Sequence, residues 1–288
     1  MRTTTLLAAT ALLSIASAAD AHRLWLEPSQ TIVSGQDSWV TFDAAESTDV
    51  FVPDHRALRI EQIKVTQPDG GAGQAQNAMA GKYRLTFDVQ IDKPGTWKIA
   101  MASSNVMGSF KLNGEERRVG GRFGPPPGGA PGLPGGPGFQ RPPPIAVKDI
   151  PAEATDVKLT EVSMRNEVFV TSGAPTRTVI TPTGKGLELD PLTHPDELIS
   201  NEPARFRFMI DGKPAPGLKL TLVSGGRRYR DSDNALQVTT GADGVATIKW
   251  PAAGLYWLNA TTTDNHPSEP RATERRMSYT ATVEVLAP

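Results

Sequence analysis

The chain has 288 residues, with 30 Lys and Arg against 31 Asp and Glu, four His and no Cys. That length makes one or two domains, each large enough to bury its own core, and a net charge of −1 offers no electrostatic footprint for nucleic acid or an anionic membrane. Without Cys, disulfides, thiolate zinc sites, iron–sulfur clusters and a thiol nucleophile are excluded, so a metal would be held by His, carboxylate, amine or backbone.

The chain opens with Arg2, a short apolar stretch from Leu6 to Ile15 and small residues through Ala21. This reads as a secretory signal peptide over residues 1–21, too short for the ~20 residues of a membrane span. The expectation is an exported, periplasmic protein that is not membrane-embedded. Three cleavage points fit. A cut after Ala21 leaves His22 first, a cut after Ala18 leaves it fourth, and a cut after Ala19 leaves it third in Asp20-Ala21-His22.

Short alternating runs rich in β-formers follow, at Ser38–Asp43, Tyr83–Val89 and Trp97–Met101, then at Arg205–Ile210, Lys219–Val223 and Tyr279–Val285. Turn pairs such as Asp69-Gly70, Asp211-Gly212 and Asp243-Gly244 separate them, and no run keeps a helical period over three turns. Between the two groups, Gly120 to Pro144 holds nine Gly and nine Pro. Lost donors and a high ordering entropy make residues 119–145 a disordered insert. An internal echo supports two similar halves. After Gly95 come Trp97 and Ile99, and after Gly254 come Tyr256 and Leu258, in each case two and four positions on and so on one face. The expected fold is all-β, with two antiparallel immunoglobulin-like or transthyretin-like sandwiches over 22–173 and 174–288. The second half, with Asp211-Gly212-Lys213-Pro214 and Ala253-Gly254-Leu255-Tyr256, resembles the carboxypeptidase-regulatory type of sandwich.

Catalytic motifs are missing: there is no G-x-S-x-G elbow, zinc-protease helix motif or Walker loop. Thr183-Gly184-Lys185-Gly186 lacks the first glycine of a phosphate loop and reads as a turn. The basic clusters Arg227-Arg228-Tyr229-Arg230 and Arg275-Arg276 read as solvated hairpin faces. The chain is therefore expected not to be an enzyme.

The histidines are the informative set. If His22 begins the mature chain, its α-amine (ordinary pKa about 7.7–8) and its imidazole form one chelate. Adding an imidazole from elsewhere would suit copper or nickel in a tetragonal geometry. His55 follows Asp54 in Phe51-Val52-Pro53-Asp54-His55-Arg56, where Asp54 is a candidate ligand or an acceptor for the ring. His194 precedes Pro195, which keeps it extended on a loop. His266 lies in a polar loop and reads as structural.

The segments His22-Arg23-Leu24-Trp25-Leu26-Glu27-Pro28-Ser29, Asp54-His55, Gly186-Leu187-Glu188-Leu189 and Thr193-His194-Pro195-Asp196-Glu197-Leu198 resemble domain-of-unknown-function family 4198. The resemblance covers nearly the whole chain after residue 21, apart from the Pro/Gly insert. It implies a periplasmic β-sandwich protein of a kind described as a nickel or cobalt uptake component. The expected metal ligands are His22, His55, His194 and Asp54, the expected cargo is nickel, cobalt or copper, and the expected partner is a transporter of the inner or outer membrane. The alternative is a metal-free scaffolding module docking a membrane partner. A copper enzyme acting on polysaccharide is disfavoured, because five Trp and four Tyr sit mostly inside strand patterns.

Overall fold

The computed structural model describes residues 22–35, 37–120 and 145–288. The expected signal peptide and nearly all of the Pro/Gly insert lie outside these residues. The regular structure of the described chain is strand, with four single-turn 3₁₀ segments and turns and loops between. Alternation explains the strands: in Leu85–Ile91, Leu85, Phe87, Val89 and Ile91 are buried while Thr86, Asp88 and Gln90 are partly exposed.

Two strands of 18 residues, Gly95–Leu112 and Thr155–Ser172, pair antiparallel and form the spine. They belong to a ten-stranded sheet that runs on through Glu274–Leu286, Gly254–Asp264, Lys219–Ser224 and Leu236–Thr239. A second sheet contains Arg23–Pro28, Ser38–Ser47, Leu85–Ile91, Gln76–Ala80 and Arg56–Ala57. A third contains Leu187–Pro191, Pro203–Ile210, Lys213–Pro214 and Val245–Lys249.

Each small sheet packs on the large one around its own core. Phe42, Phe87, Leu26 and Val89 of the second sheet meet Trp97, Ile99, Val168 and Val170. Phe206, Phe208 and Ile248 of the third meet Leu222, Leu258, Tyr279 and Val283. The register of the large sheet shows that they cover opposite faces. Val168 sits beside Thr282 and Arg165 beside Tyr279, so Val168 and Tyr279 point to opposite sides. The echoed pairs do what their spacing implies, with Trp97 and Ile99 in the first core and Tyr256 and Leu258 in the second.

Three pairings depart from the expected purely antiparallel arrangement, the shortest-range being Leu198–Ile199 alongside Val285–Leu286. Thr160 to Val168 run parallel to Glu274 to Thr282, joining the two halves in one sheet. Ile32–Val33 also lies parallel to Thr171–Ser172. These last two contacts bridge more than a hundred residues, beyond the reach of local alternation. The insert leaves and returns at adjacent points, because Val119 bridges Ile145 and the Gly120 N–H donates to the Ile145 carbonyl. Gly120 has φ +61°, and a Cβ there would lie 1.8 Å from the Val106 carbonyl oxygen, so no other residue fits at this exit.

Candidate metal centre

The strand Arg23–Pro28 is held down from its first residue. Trp25 is fully buried and its Nε1–H donates to Ser47 Oγ at 2.7 Å, while Trp257 Nε1–H donates to the Leu24 carbonyl at 2.9 Å. The Arg23 guanidinium pairs with Asp233 and lies 5.6 Å from the Trp257 ring centre. Arg227 ties Asp233 to Asp49. His22, the next residue outward, is exposed but stands on a fixed base.

His55 arrives from the other side. Arg56–Ala57 pairs with Ser38–Ser47 at Glu46 and Ala45, and Arg23–Pro28 pairs along the opposite edge of the same strand, with Arg23 against Ser47. His22 and His55 each lie one step beyond their ladders, on either side of the strand end. Their rings stack, with centroids 3.7 Å apart and planes 16° from parallel. Imidazole lone pairs lie in the ring plane, so two nearly parallel rings do not aim at a common ion. Sharing one at about 2 Å requires one ring to turn about its side-chain torsions.

Asp54 is exposed, and its Oδ1 accepts the Thr48 N–H at 2.9 Å, closing the loop that delivers His55. That leaves Oδ2 without a partner among the described residues.

His194 does not join this pair. It is 5% exposed and sits where the two halves meet. The Asp196 N–H donates to its Nδ1 at 3.2 Å, which puts the proton on Nε2, facing Thr96 Oγ1 at 3.1 Å. Thr96 and Thr176 exchange backbone-to-hydroxyl hydrogen bonds at 2.9 Å each. With that N–H accepted, Thr96 donates to Thr171, and Thr171 donates to the Asp196 carboxylate. Both ring nitrogens are occupied within the protein. Burial pushes the imidazole below its ordinary pKa, against the raising effects of the Thr176 carbonyl and Glu197. Burial also raises Asp196 to about 7, with Glu284 and Glu197 adding to the shift and Thr171 opposing it. The network lies by Thr31, whose carbonyl accepts the Thr171 N–H, at the far end of the six-residue strand Arg23–Pro28 from His22. Such a strand spans roughly 20 Å. His194 is therefore placed apart from the His22 and His55 rings, as a buried joint. Among the described residues, no group of three or more His, Asp or Glu is arranged to hold a metal ion.

Other residues were read too simply from the sequence. Arg275 is not a solvated face: its side chain is 9% exposed, between Asp211 and Asp264, both at 2.7 Å. Arg230 donates to the carbonyls of Ser224 and Gly225. The turn at Thr183–Lys185 does aim its N–H groups at an anion, but the anion is the protein's own Glu188 carboxylate. His266 is exposed, and its N–H donates to Asp264 at 3.0 Å. Trp25 inside the N-terminal strand is the signal the sequence carries for its anchoring, while Ser47 and Trp257, which complete it, lie too far along the chain to read.

Strands stacked as sheet pairs around separate cores define an all-β protein of β-sandwich type. The chain belongs to the family described as Domain of unknown function (DUF4198), whose model matches residues 19–264. No curated protein matches it by sequence. Among solved structures it is similar to the D0-D1 domain of intimin, at 11% identity and TM-score 0.20, covering 91% of this chain and 97% of that one. It is also similar to a DUF4785 family protein from Legionella pneumophila, at 9% identity and TM-score 0.22, over 82% and 50% of the two chains. Trypsin-activated alpha-2-macroglobulin from Escherichia coli matches at 12% identity and TM-score 0.22, over 91% and 16%.

Proposed function

We propose that this chain is an exported periplasmic protein that binds a divalent transition metal ion, nickel, cobalt or copper, for uptake or delivery through a membrane transporter. The observation that carries the reading is the contact between the His22 and His55 rings at the end of an anchored strand. Export with cleavage after Ala21 would add the His22 amine to the same spot, giving three nitrogen donors from two residues. Nitrogen donors of this kind suit copper and nickel. An exposed site with few protein ligands favours exchange of the ion over permanent retention, which fits a carrier. Asp54 holds the loop and keeps one carboxylate oxygen for the ion or its water.

The test is calorimetric titration of the chain beginning at His22 with Ni(II), Co(II) and Cu(II) in turn. About one ion is expected per chain, with affinity falling at least tenfold in His55→Ala and unchanged in His194→Gln provided that variant folds. A chain that takes up none of the three supports the metal-free scaffolding reading instead.

A further inference from the structure

Where the third sheet stops covering the ten-stranded one, the neighbouring strands leave a cleft of about 460 Å³, within the ordinary range for small-molecule sites. Its floor is made by Ala102, Ser104 and Ser163, which share one face because Ser104 pairs with Ser163 and Ala102 with Arg165. These small residues sit beside the longer Arg165, Glu161 and Met164 side chains, which leaves the concavity. One wall is the segment Lys185 to Leu187 at the edge of the third sheet.

The charged groups around the cleft differ in how fully they are used. Arg275 is saturated by Asp211 and Asp264. Glu161 accepts from the Ser268 and Glu269 N–H groups and the Ser268 hydroxyl. Arg165 is different. Glu188 at 3.3 Å and Glu167 Oε1 at 3.5 Å hold it by charge, while the Glu188 oxygens also accept from the 183–185 turn and Glu167 Oε2 accepts from the Tyr279 hydroxyl. Its one hydrogen bond is a 3.4 Å contact to the Lys185 carbonyl. A guanidinium carries five N–H donors, so most of those on Arg165 remain available. The Lys185 ammonium and the Ser104 and Ser163 hydroxyls have no partner among the described residues.

We propose that this cleft binds a small hydroxylated organic acid, its carboxylate held by Arg165 and Lys185 and its hydroxyls by Ser104 and Ser163. A guanidinium with spare N–H donors beside the exposed Lys185 ammonium suits an oxyanion, and the planar fork of Arg165 is suited to a carboxylate. The Ser104 and Ser163 hydroxyls suit hydroxyl groups on the ligand, and Ala102, Met164 and Leu187 line the rest of the cleft against its carbon chain. The ligand is separate from the metal ion proposed above, and the site shares no residue with His22 or His55.

The experiment is calorimetric titration of the metal-free chain beginning at His22 with three probes: gluconate, acetate and glucose. Gluconate carries both chemistries, acetate the charge alone and glucose the hydroxyls alone. Gluconate is expected to bind at least tenfold more tightly than either. Lys185→Gln and Ser163→Leu, both at positions without hydrogen-bonded side chains, are expected each to weaken gluconate at least tenfold with unchanged thermal stability. Absence of gluconate binding overturns the proposal. So does acetate binding as well as gluconate, which would mark a plain anion site, or glucose doing so, which would mark a neutral polyol site. Metal titration of the same variants is expected to be unaffected, so failure here is distinct from failure of the metal reading.

Discussion

Asp196→Asn is expected to stabilise the protein more at pH 8 than at pH 5. Asp196 is 5% exposed and its carboxyl is raised to about 7. A carboxyl raised on folding holds its proton more tightly in the folded state. It therefore weakens stability progressively as pH rises from the ordinary value of 3.8, with the full penalty reached above about 7. Between pH 5 and pH 8 that penalty grows by roughly 2–3 kcal/mol. Asn keeps the shape and can accept from the Thr171 hydroxyl, but carries no charge to desolvate. Glu27 is also raised to about 7, by burial and then by the neighbouring Asp43 carboxylate, so the pH profile of the wild type alone mixes several groups. The difference between variant and wild type isolates Asp196. Urea denaturation at the two pH values measures it, and a difference that is equal at pH 5 and pH 8 refutes the buried-carboxylate argument.

Arg275→Met leaves Asp211 and Asp264 facing each other. Arg275 holds both carboxyls below their ordinary range, so its contribution is present above pH 4 and fades as pH falls through the lowered values. Asp211 is 46% exposed, and solvent screening limits the loss at pH 7 to about 2 kcal/mol, read by denaturant midpoint at pH 7 and pH 3. Trp257→Phe removes the donor to the Leu24 carbonyl and is expected to cost about 1–2 kcal/mol, with faster amide exchange along Arg23–Pro28 than along Leu85–Ile91. Phe206→Ala empties part of the second core and is expected to cost about 3–5 kcal/mol by thermal or chemical denaturation.

The strands were legible because alternation is local: residues 85–91 and 203–210 write their buried faces directly into the order of side chains. The echo around Gly95 and Gly254 was legible for the same reason. The parallel seam between Thr160–Val168 and Glu274–Thr282 was not, because its strands are joined through the whole second half of the chain. In the site, His22 and His55 were recognisable as nitrogen donors with metal chemistry, but their ring stack depends on two strands flanking a third. His194 shows where residue type misleads: Pro195 does hold it on a loop, yet that loop folds inward onto Thr96 and Thr171. A histidine on a polar loop reads the same whether it meets solvent, an ion or a buried hydroxyl. Arg275 is a similar case, a charged residue whose partner Asp211 comes from elsewhere in the chain.

The amine of His22 is the donor on which the metal reading turns, and acetylating it removes the donor without altering either ring. Equilibrium dialysis against Cu(II) of two chains beginning at His22, one with a free and one with an acetylated α-amine, isolates that donor. The account predicts at least about a hundredfold weaker binding for the acetylated chain, equivalent to about 2.7 kcal/mol. Equal affinity of the two chains would contradict it.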